Sequence, residues 1–488
     1  MADLPHSVDV RASIRFRFRG RDIELGDFAP RMTLLDWLRI ERGASGTKEG
    51  CNEGDCGACT VVLVRRAQGA PNFTPVNACI LLLGQIDGAE LVTIEDLSSA
   101  PGALHPVQDS MVTHHGAQCG FCTPGIVMSL FAQHESKPQT LDADAVCDQL
   151  AGNLCRCTGY RPIIEAALAA HVVPPQGRWP GTEAMHAGDM LIGDDDQFFA
   201  APASIPSLAA LYAAHPDATL VAGATDVGLW LTKNLQDIRK IIWLGRVAGL
   251  DAIEAHADGL HIGAGVTLAA LAPHLGALHP DLGEVMRRFG STQVRSSGTI
   301  GGNLANGSPI GDLAPCLIAL GAQLVLQKGD VLRHLPLEDF FLAYRKQDRL
   351  PGEFVHSVIM PPLAAEQAFR AYKVSKRIDE DISSVLAAFC FDVAQGRIGR
   401  ARIAFGGMAG TPARARNAEG FAVGIRLQDE STWASALSAL AFDFQPLSDQ
   451  RASAAYRALV ARNLLTKALI ELRGESPATT RIAPPREP

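Results

Sequence analysis

Three cysteines, Cys51, Cys56 and Cys59, stand at C-x4-C-x2-C within K-E-G-C-N-E-G-D-C-G-A-C, and Cys79 follows them. That is the ligand order of a plant-type 2Fe-2S cluster. Such a group presents anionic sulfurs, so the loop around it must turn backbone N–H groups inward, and Gly50, Gly54 and Gly57 remove the side chains that would block the approach. Four thiolates also suit a structural zinc. The four-residue first gap and the dense glycine fit zinc poorly. A second set follows, with Cys119 and Cys122 in Q-C-G-F-C-T-P-G and Cys155 and Cys157 in N-L-C-R-C-T-G-Y-R-P. Each pair precedes a helix start: Thr123 caps one, with Pro124 at its first position, and Thr158 precedes the other, which begins near Pro162. Helix N-termini favour an anionic cluster between them. Two clusters in tandem are a wire for single electrons.

The elements that must hold these thiols can be read from periodicity. Ile14, Phe16 and Phe18 alternate with Arg15, Arg17 and Arg19 before a turn at Gly20, which predicts a half-buried hairpin over 13–26 whose arginine row is the solvated face. Thr33 and Asp36 form a capping box for a short helix ending by Gly43, and Thr60 to Val64 is a strand. A β-grasp ferredoxin domain over 8–92 accommodates them. Helical patterns at 106–115, 124–135, 142–151 and 162–171 predict a four-helix bundle domain over 93–172, with the second cysteine set on its loops and Cys147 packed inside the third helix. Residues 173–196 have the proline, glycine and acidic charge of a linker. Beyond it, apolar strands run into small-residue turns at 219–228 and 296–312, where exposed N–H groups can approach a pyrophosphate. The segment 261–271 lacks the third glycine of G-x-G-x-x-G and is read as a structural turn. Cys316 and Cys390 lie in apolar runs and are read as core. Helical stretches at 431–441 and 449–473 precede a proline-rich tail, 476–488, read as disordered.

At 488 residues and 47% apolar content the chain can bury several cores, and its net charge of −8 argues against nucleic acid as the main partner. No apolar run approaches the ~20 residues of a membrane span, and the first residues have no secretory pattern. Of eleven cysteines eight are spaced as metal ligands, and free thiols suit a reducing cytoplasm. No nucleophile elbow, zinc triad or paired carboxylate stands out, so no catalytic residue is assigned in this chain and the chemistry falls to cofactors.

The motifs G-C-N-E-G-D-C-G-A-C-T, H-P-V-Q, Q-C-G-F-C-T-P-G and G-N-L-C-R-C-T-G-Y, in this order, resemble the iron–sulfur half of the molybdenum hydroxylases. The resemblance implies two 2Fe-2S clusters, on Cys51, Cys56, Cys59 and Cys79 and on Cys119, Cys122, Cys155 and Cys157. It implies an FAD domain of the vanillyl-alcohol-oxidase type over 197–362 and an α+β C-terminal flavoprotein domain over 367–475, in an α+β multidomain chain. Val221, Ala222, Gly223, Ala224, Thr225, Asp226 and Val227 would line the FAD pyrophosphate and ribityl chain, and Thr299, Gly302, Asn303 and Asp312 its other side. Relatives of the animal type read G-N-T where this chain has Gly223-Ala224-Thr225, so a side-chain hydrogen bond open to them is absent and the backbone must serve. Lys373 belongs to the segment 372–383 that lines the flavin ring and nicotinamide site, where Lys376, Arg377 and Asp379 are either NAD contacts or a charged surface loop. Gln118 would reach the pterin of a molybdenum cofactor in a separate large subunit. The order of domains, with the molybdenum part absent, resembles the small subunits of bacterial xanthine dehydrogenases. It implies electrons passing from molybdenum to the second cysteine set, then the first, then FAD and NAD, in a dimer of heterodimers oxidising hypoxanthine and xanthine to urate. An aldehyde, nicotinate or carbon monoxide enzyme, or a stand-alone electron carrier, remains the alternative.

Overall fold

Apolar residues at every second position bury one face of a strand and leave the other to water. In the computed structural model, which describes residues 10–98, 100, 102–182 and 188–481, strand β1 (Ile14–Phe18) pairs antiparallel with β2 (Arg21–Leu25) as the expected hairpin. The arginine row is its solvated face, with Arg15 meeting Glu24 and Arg17 meeting Asp22, both at 3.0 Å. Strands β3 (Thr60–Ala67), β4 (Ala70–Asn77) and β5 (Glu90–Val92) complete a mixed sheet in the order β2-β1-β5-β3-β4. Trp37 meets Phe16 and Phe18 edge-on at 5.3 and 5.5 Å and centres the core on its inner face. Thr33 accepts from Asp36 N, but only Leu34–Asp36 is α-helical, and Trp37–Glu41 continues in the wider π form.

Four helices follow near their expected places: α1 (Pro106–Thr113), α2 (Thr123–Ser136), α3 (Ala143–Leu150) and α4 (Arg161–His171). The start of α2 differs from expectation. Cys122 already has helical backbone, φ −78° and ψ −16°, so Thr123 is the first helical residue and cannot cap, since a capping residue sits outside the helix in extended backbone. Cys147 differs too. It is exposed, because Val146 and Leu150 make the buried stripe of α3 and the next position after Val146 turns away from it.

The stretch after α4, expected as a linker, is strapped down in its described part. Trp179 is buried against Phe131, ring centroids 4.7 Å apart at 79°, and Arg178 lies 4.6 Å over the indole while donating to Leu97 O. Gly181 N donates to Glu90 Oε2 and Arg66 N to Thr182 O. Beside Trp179 lies a buried polar knot, in which Glu135 Oε1 accepts from Gln176 N at 3.3 Å and sits 3.1 Å from His105 Nε2 and 3.2 Å from His134 Nδ1.

The chain packs as two compact units, Met1–Gly249 with Gly290–Gly298, and Leu250–Phe289 with Thr299–Pro488. The first also contains a sheet in the order β6 (Met190–Gly193), β7 (Phe198–Ala201), β9 (Lys240–Trp243), β8 (Thr219–Val221), with β7 and β8 parallel to β9. Helix α5 (Val227–Thr232) follows β8, and α6 (Thr292–Ser297) is the part of the unit supplied from later sequence.

The second unit has two antiparallel sheets. One runs β10 (Ile253–His256), β11 (Gly259–Gly263), β14 (Phe354–Met360), β12 (Gln323–Lys328), β13 (Val331–Pro336). As expected, 261–271 is a turn between strand and helix, with Thr267 accepting from Ala270 N. The other runs β15 (Gln367–Val374), β16 (Val385–Ala394), β17 (Arg397–Gly406), β18 (Ala413–Arg414). Phe389, Phe391 and Phe405 of that sheet share a core with Leu465, Ala468 and Leu469 of a long helix, Ala454–Leu472. Cys316 and Cys390 are buried, as expected. The tail is ordered further than expected: Ser476 caps Pro477–Thr480, and Arg481 is bound by Asp281 at 2.7 Å and Glu471 at 2.8 Å. Residues 482–488 lie outside the described residues.

Candidate metal centres and cofactor turns

The glycine-rich loop that follows the π turn brings Cys51, Cys56 and Cys59 to the start of β3, and Cys79 arrives just after β4. Cys59 and Cys79 are buried and the other two half-buried. Cys51 accepts from Asp55 N at 3.4 Å and Cys56 N at 3.3 Å, so two backbone donors already point at a sulfur. Hydrogen bonds from the Cys56 and Cys79 thiols hold Cys51 far below the usual thiol range, and the same contact pushes Cys56 far up. Hydrogen bonding to Cys51 and Cys59 raises Cys79 likewise. Four thiols linked in the order Cys56, Cys51, Cys79, Cys59 by hydrogen bonds fit a thiolate-bound metal. A Cβ on Gly50 would lie 2.6 Å from Cys56 Sγ, which explains glycine there.

The second set is built at the mouths of α2 and α4. Hydrogen bonds join the thiol of Cys119 to that of Cys157 and the thiol of Cys122 to that of Cys155 across the two loops. The Phe121 backbone N–H, then Cys157, lower Cys119, and burial, then Cys155, pushes Cys122 up to about 12. Cys119 and Cys157 are exposed, as is Gln118, and Phe121 and Leu154 beside them are 50% and 42% exposed. The two sets therefore differ in character. One is enclosed and the other opens on an apolar surface.

Their loops touch directly. Leu154 N donates to Cys56 O at 3.0 Å, and Asn153 Nδ2 donates to Gly57 O at 3.1 Å. A Cβ on Gly57, whose φ is +68°, would lie 2.1 Å from Gly152 O, and one on Gly125 would lie 2.1 Å from Gly57 O. Gln293 of α6 plugs the junction: its Nε2 lies 3.1 Å from Thr60 Oγ1, 3.1 Å from Ser129 Oγ and 3.0 Å from Asn153 Oδ1. Sequence reasoning missed Gln293, since its partners lie far away in sequence.

The turn Val221–Val227 also belongs to the first unit. Val221 ends β8, and a Cβ on Gly223 would lie 1.8 Å from Ser297 O, so only glycine fits. Ala224 takes φ +60°. Its C=O accepts from Gly228 N at 2.7 Å, and Ala222 C=O accepts from Gln85 Nε2 at 2.8 Å. Thr225 and Asp226 close the turn into α5, where Val227 is the first helical residue. That helix is seated on the first cysteine loop: a Cβ on Gly228 would lie 2.6 Å from Ile80 O, next to Cys79, and Lys233 Nζ donates to Cys51 O at 2.6 Å.

The other expected cofactor residues lie in the second unit. Thr299 is occupied as a helix cap, accepting from Gly302 N at 3.1 Å ahead of Ile300–Asn306. Asn303 Oδ1 is buried with no hydrogen-bond partner among the described residues, an orphan that a ligand donor would satisfy. Asp312 is buried and holds Lys373 Nζ at 2.6 Å and Ser383 Oγ at 2.6 Å. The loop beyond is paired within itself and to its surroundings: Arg377 lies near Asp381, Lys376 donates to Gln450 O, and Arg287 lies 3.6 Å from Asp379. Arg288, another residue the sequence does not flag, stitches it through Ile378 O, Lys373 O and Ser375 Oγ.

Three family models match the chain: a 2Fe-2S binding domain over 93–168, an FAD binding domain in molybdopterin dehydrogenase over 195–363, and a CO dehydrogenase flavoprotein C-terminal domain over 370–472. The chain is 31% identical to the xanthine dehydrogenase of Emericella nidulans, over 88% of this chain and 36% of that protein. It thus spans about a third of such relatives. Among solved structures, it is similar to the reconstituted CO dehydrogenase from Oligotropha carboxidovorans, with a TM-score of 0.54 and 26% identity, covering 58% of this chain and 99% of that one. It is likewise similar to quinoline 2-oxidoreductase from Pseudomonas putida 86, with a TM-score of 0.51 and 28% identity, covering 56% of this chain and 95% of that one.

Proposed function

From a domain content that fits the molybdenum hydroxylase family, we propose that this chain is the electron-transfer part of a xanthine dehydrogenase, docked in the cytoplasm on a separate molybdenum-cofactor subunit as a dimer of heterodimers. One observation carries the reading: within a single compact unit, two thiol quartets share a backbone hydrogen bond, Leu154 N to Cys56 O, and the FAD-matched turn rests on the first quartet's loop. Residues 8–92 would be a β-grasp ferredoxin domain, 93–172 a helical cluster domain, 197–362 a vanillyl-alcohol-oxidase-type domain and 367–475 its C-terminal companion, with a linker over 173–196 and a tail over 476–488.

Bound to these residues, two clusters and FAD supply one-electron steps on one side and a hydride donor for NAD on the other. The protein's work is placement. Cys51, Cys56, Cys59 and Cys79 hold the enclosed centre, with Asp55 N and Cys56 N compensating sulfur charge. Cys119, Cys122, Cys155 and Cys157 hold the other where Phe121 and Leu154 offer a partner an apolar seat and Gln118 is exposed toward it. In the first unit Val221–Val227 would offer FAD backbone N–H groups, and in the second the Thr299–Asp312 stretch would offer the amide of Asn303, with Lys373 ion-paired to Asp312 at 2.6 Å. No side chain here needs to move a substrate proton.

The test is to purify the chain with whatever large subunit accompanies it, measure iron, flavin and molybdenum, and follow NADH under xanthine. About four irons per chain, one FAD, molybdenum in the partner and xanthine-dependent NADH are expected. The likeness to CO dehydrogenase and quinoline 2-oxidoreductase favours a second reading, another molybdenum hydroxylase. The same cofactors without a xanthine response would select it, and zinc in place of iron would overturn both.

A further inference from the structure

Among the eight candidate ligands, Cys155 carries a side-chain donor whose geometry is locked by its own loop. Thr158 Oγ1 lies 3.2 Å from Cys155 Sγ. Tyr160 N donates to that same oxygen at 3.2 Å, which occupies a lone pair and leaves the hydroxyl proton for the sulfur. Tyr160 holds φ +68°, a region that a bulky residue seldom enters. There its own hydroxyl accepts from Cys155 N at 2.8 Å and donates to Asn153 O at 3.2 Å. The loop from Asn153 to Tyr160 is thus closed on itself through two hydroxyls, and both converge on Cys155.

An iron-bound cysteine is a thiolate and carries no proton, so between Thr158 and Cys155 the hydroxyl must be the donor. We infer that Thr158 raises the reduction potential of the exposed centre by donating this hydrogen bond to the Cys155 thiolate. The inference rests on the reading of Cys119, Cys122, Cys155 and Cys157 as iron ligands. One electron from the reductant converts one ferric ion to ferrous; no bond to the ligands breaks, and the hydroxyl proton stays on Thr158. The added negative charge, spread partly onto sulfur, strengthens a charge-assisted hydrogen bond and so favours the reduced state. Tyr160 acts one step further out, as the residue that orients the acceptor side of Thr158. The enclosed centre relies instead on backbone donors, Asp55 N and Cys56 N, that no side-chain substitution removes.

The experiment is a dithionite titration of the full chain, with its copurifying partner, followed by electron paramagnetic resonance of both iron–sulfur signals in the wild type, Thr158→Val and Thr158→Ser. In Thr158→Val the ratio of reduced to oxidised centre at fixed potential should fall about tenfold for one signal only, a lowering of about 59 mV for one electron. The other signal and the flavin should not move, and Thr158→Ser should restore the wild-type midpoint. An unchanged midpoint in Thr158→Val with full iron overturns the inference. If valine costs iron, Thr158→Ala must show the same lowering. Iron lost from both, but kept in Thr158→Ser, would make the hydroxyl a loop tie and also overturn a tuning role. Only one iron–sulfur signal in the wild type would instead sink the ligand reading itself, before any variant is compared.

Discussion

Ala224 holds φ +60° and is buried in the turn ahead of α5, in a conformation that residues other than glycine seldom adopt. A Cβ in left-handed backbone costs roughly 1–2 kcal/mol, of which glycine's extra chain entropy takes back a part. Ala224→Gly should therefore raise the thermal midpoint, by up to about 1 kcal/mol of stability; a lowered midpoint would mean that packing needs the methyl. Arg481 is the opposite case. It is buried between Asp281 and Glu471, and hydrogen bonds to both outweigh burial to hold it firmly charged. Arg481→Ala leaves buried Asp281 without its cation and Glu471 with Arg370 alone, at a cost of about 3–5 kcal/mol. Denaturant unfolding should show that loss, and Asp281→Asn with Glu471→Gln in the alanine background should recover part of it. Neither feature was legible beforehand. The sequence marks Ala224 for a missing side-chain hydrogen bond and not for its backbone, and Arg481 sits in a proline-rich stretch whose composition says disorder, while its partners lie in distant elements.

At the scale of elements, the hairpin, the four helices and both thiol quartets were legible because each rests on local period or spacing. The strap after α4 was not, because one tryptophan filling a gap leaves no periodic mark. Its fastening to α1 and α2 is acid-sensitive. Burial works to raise Glu135, but hydrogen bonds from His105, His134 and Gln176 N hold it at about 2, below the usual 4.5, while burial lowers His105 from the usual 6.5. Both native values are depressed, so both groups contribute stability that is complete above the unfolded values and fades as pH falls, His105 from 6.5 downward and Glu135 between 4.5 and about 2. Unfolding followed by Trp fluorescence should show a midpoint that drops across this range, and Glu135→Gln should flatten the part below 4.5. The contact between the cysteine loops depends on Gly57 in the same way that the strap depends on Trp179. Gly57→Ala would set a methyl against Gly152 O and should cut iron content by half or more; full iron would show that the loops can part without loss.

For the whole molecule, the asymmetry between the quartets matters most. Phe121 and Leu154, together with exposed Cys119 and Cys157, form a surface that water covers poorly. If a large subunit docks there, Phe121→Asp with Leu154→Asp should weaken association tenfold or more while iron and flavin stay constant; size-exclusion chromatography of the mixed subunits reads this, and an undiminished complex would move the interface elsewhere. A 2Fe-2S binding domain and an FAD binding domain were legible from spacing and resemblance. What joins them was not: Gln293, Lys233 and the Leu154–Cys56 bond are ordinary residues whose meaning arises only when distant loops meet.

Gln293 has one more consequence, which concerns time. The chain leaves its first unit after Gly249 and comes back for Gly290–Gly298, carrying the amide that fills the junction of Thr60, Ser129 and Asn153. Domains form as they emerge from the ribosome, N-terminal portions first. Here the earliest portion cannot finish early: both cysteine loops must wait, unplugged, until translation has passed Gly298. That delay leaves an interval in which iron can still be delivered to an open site.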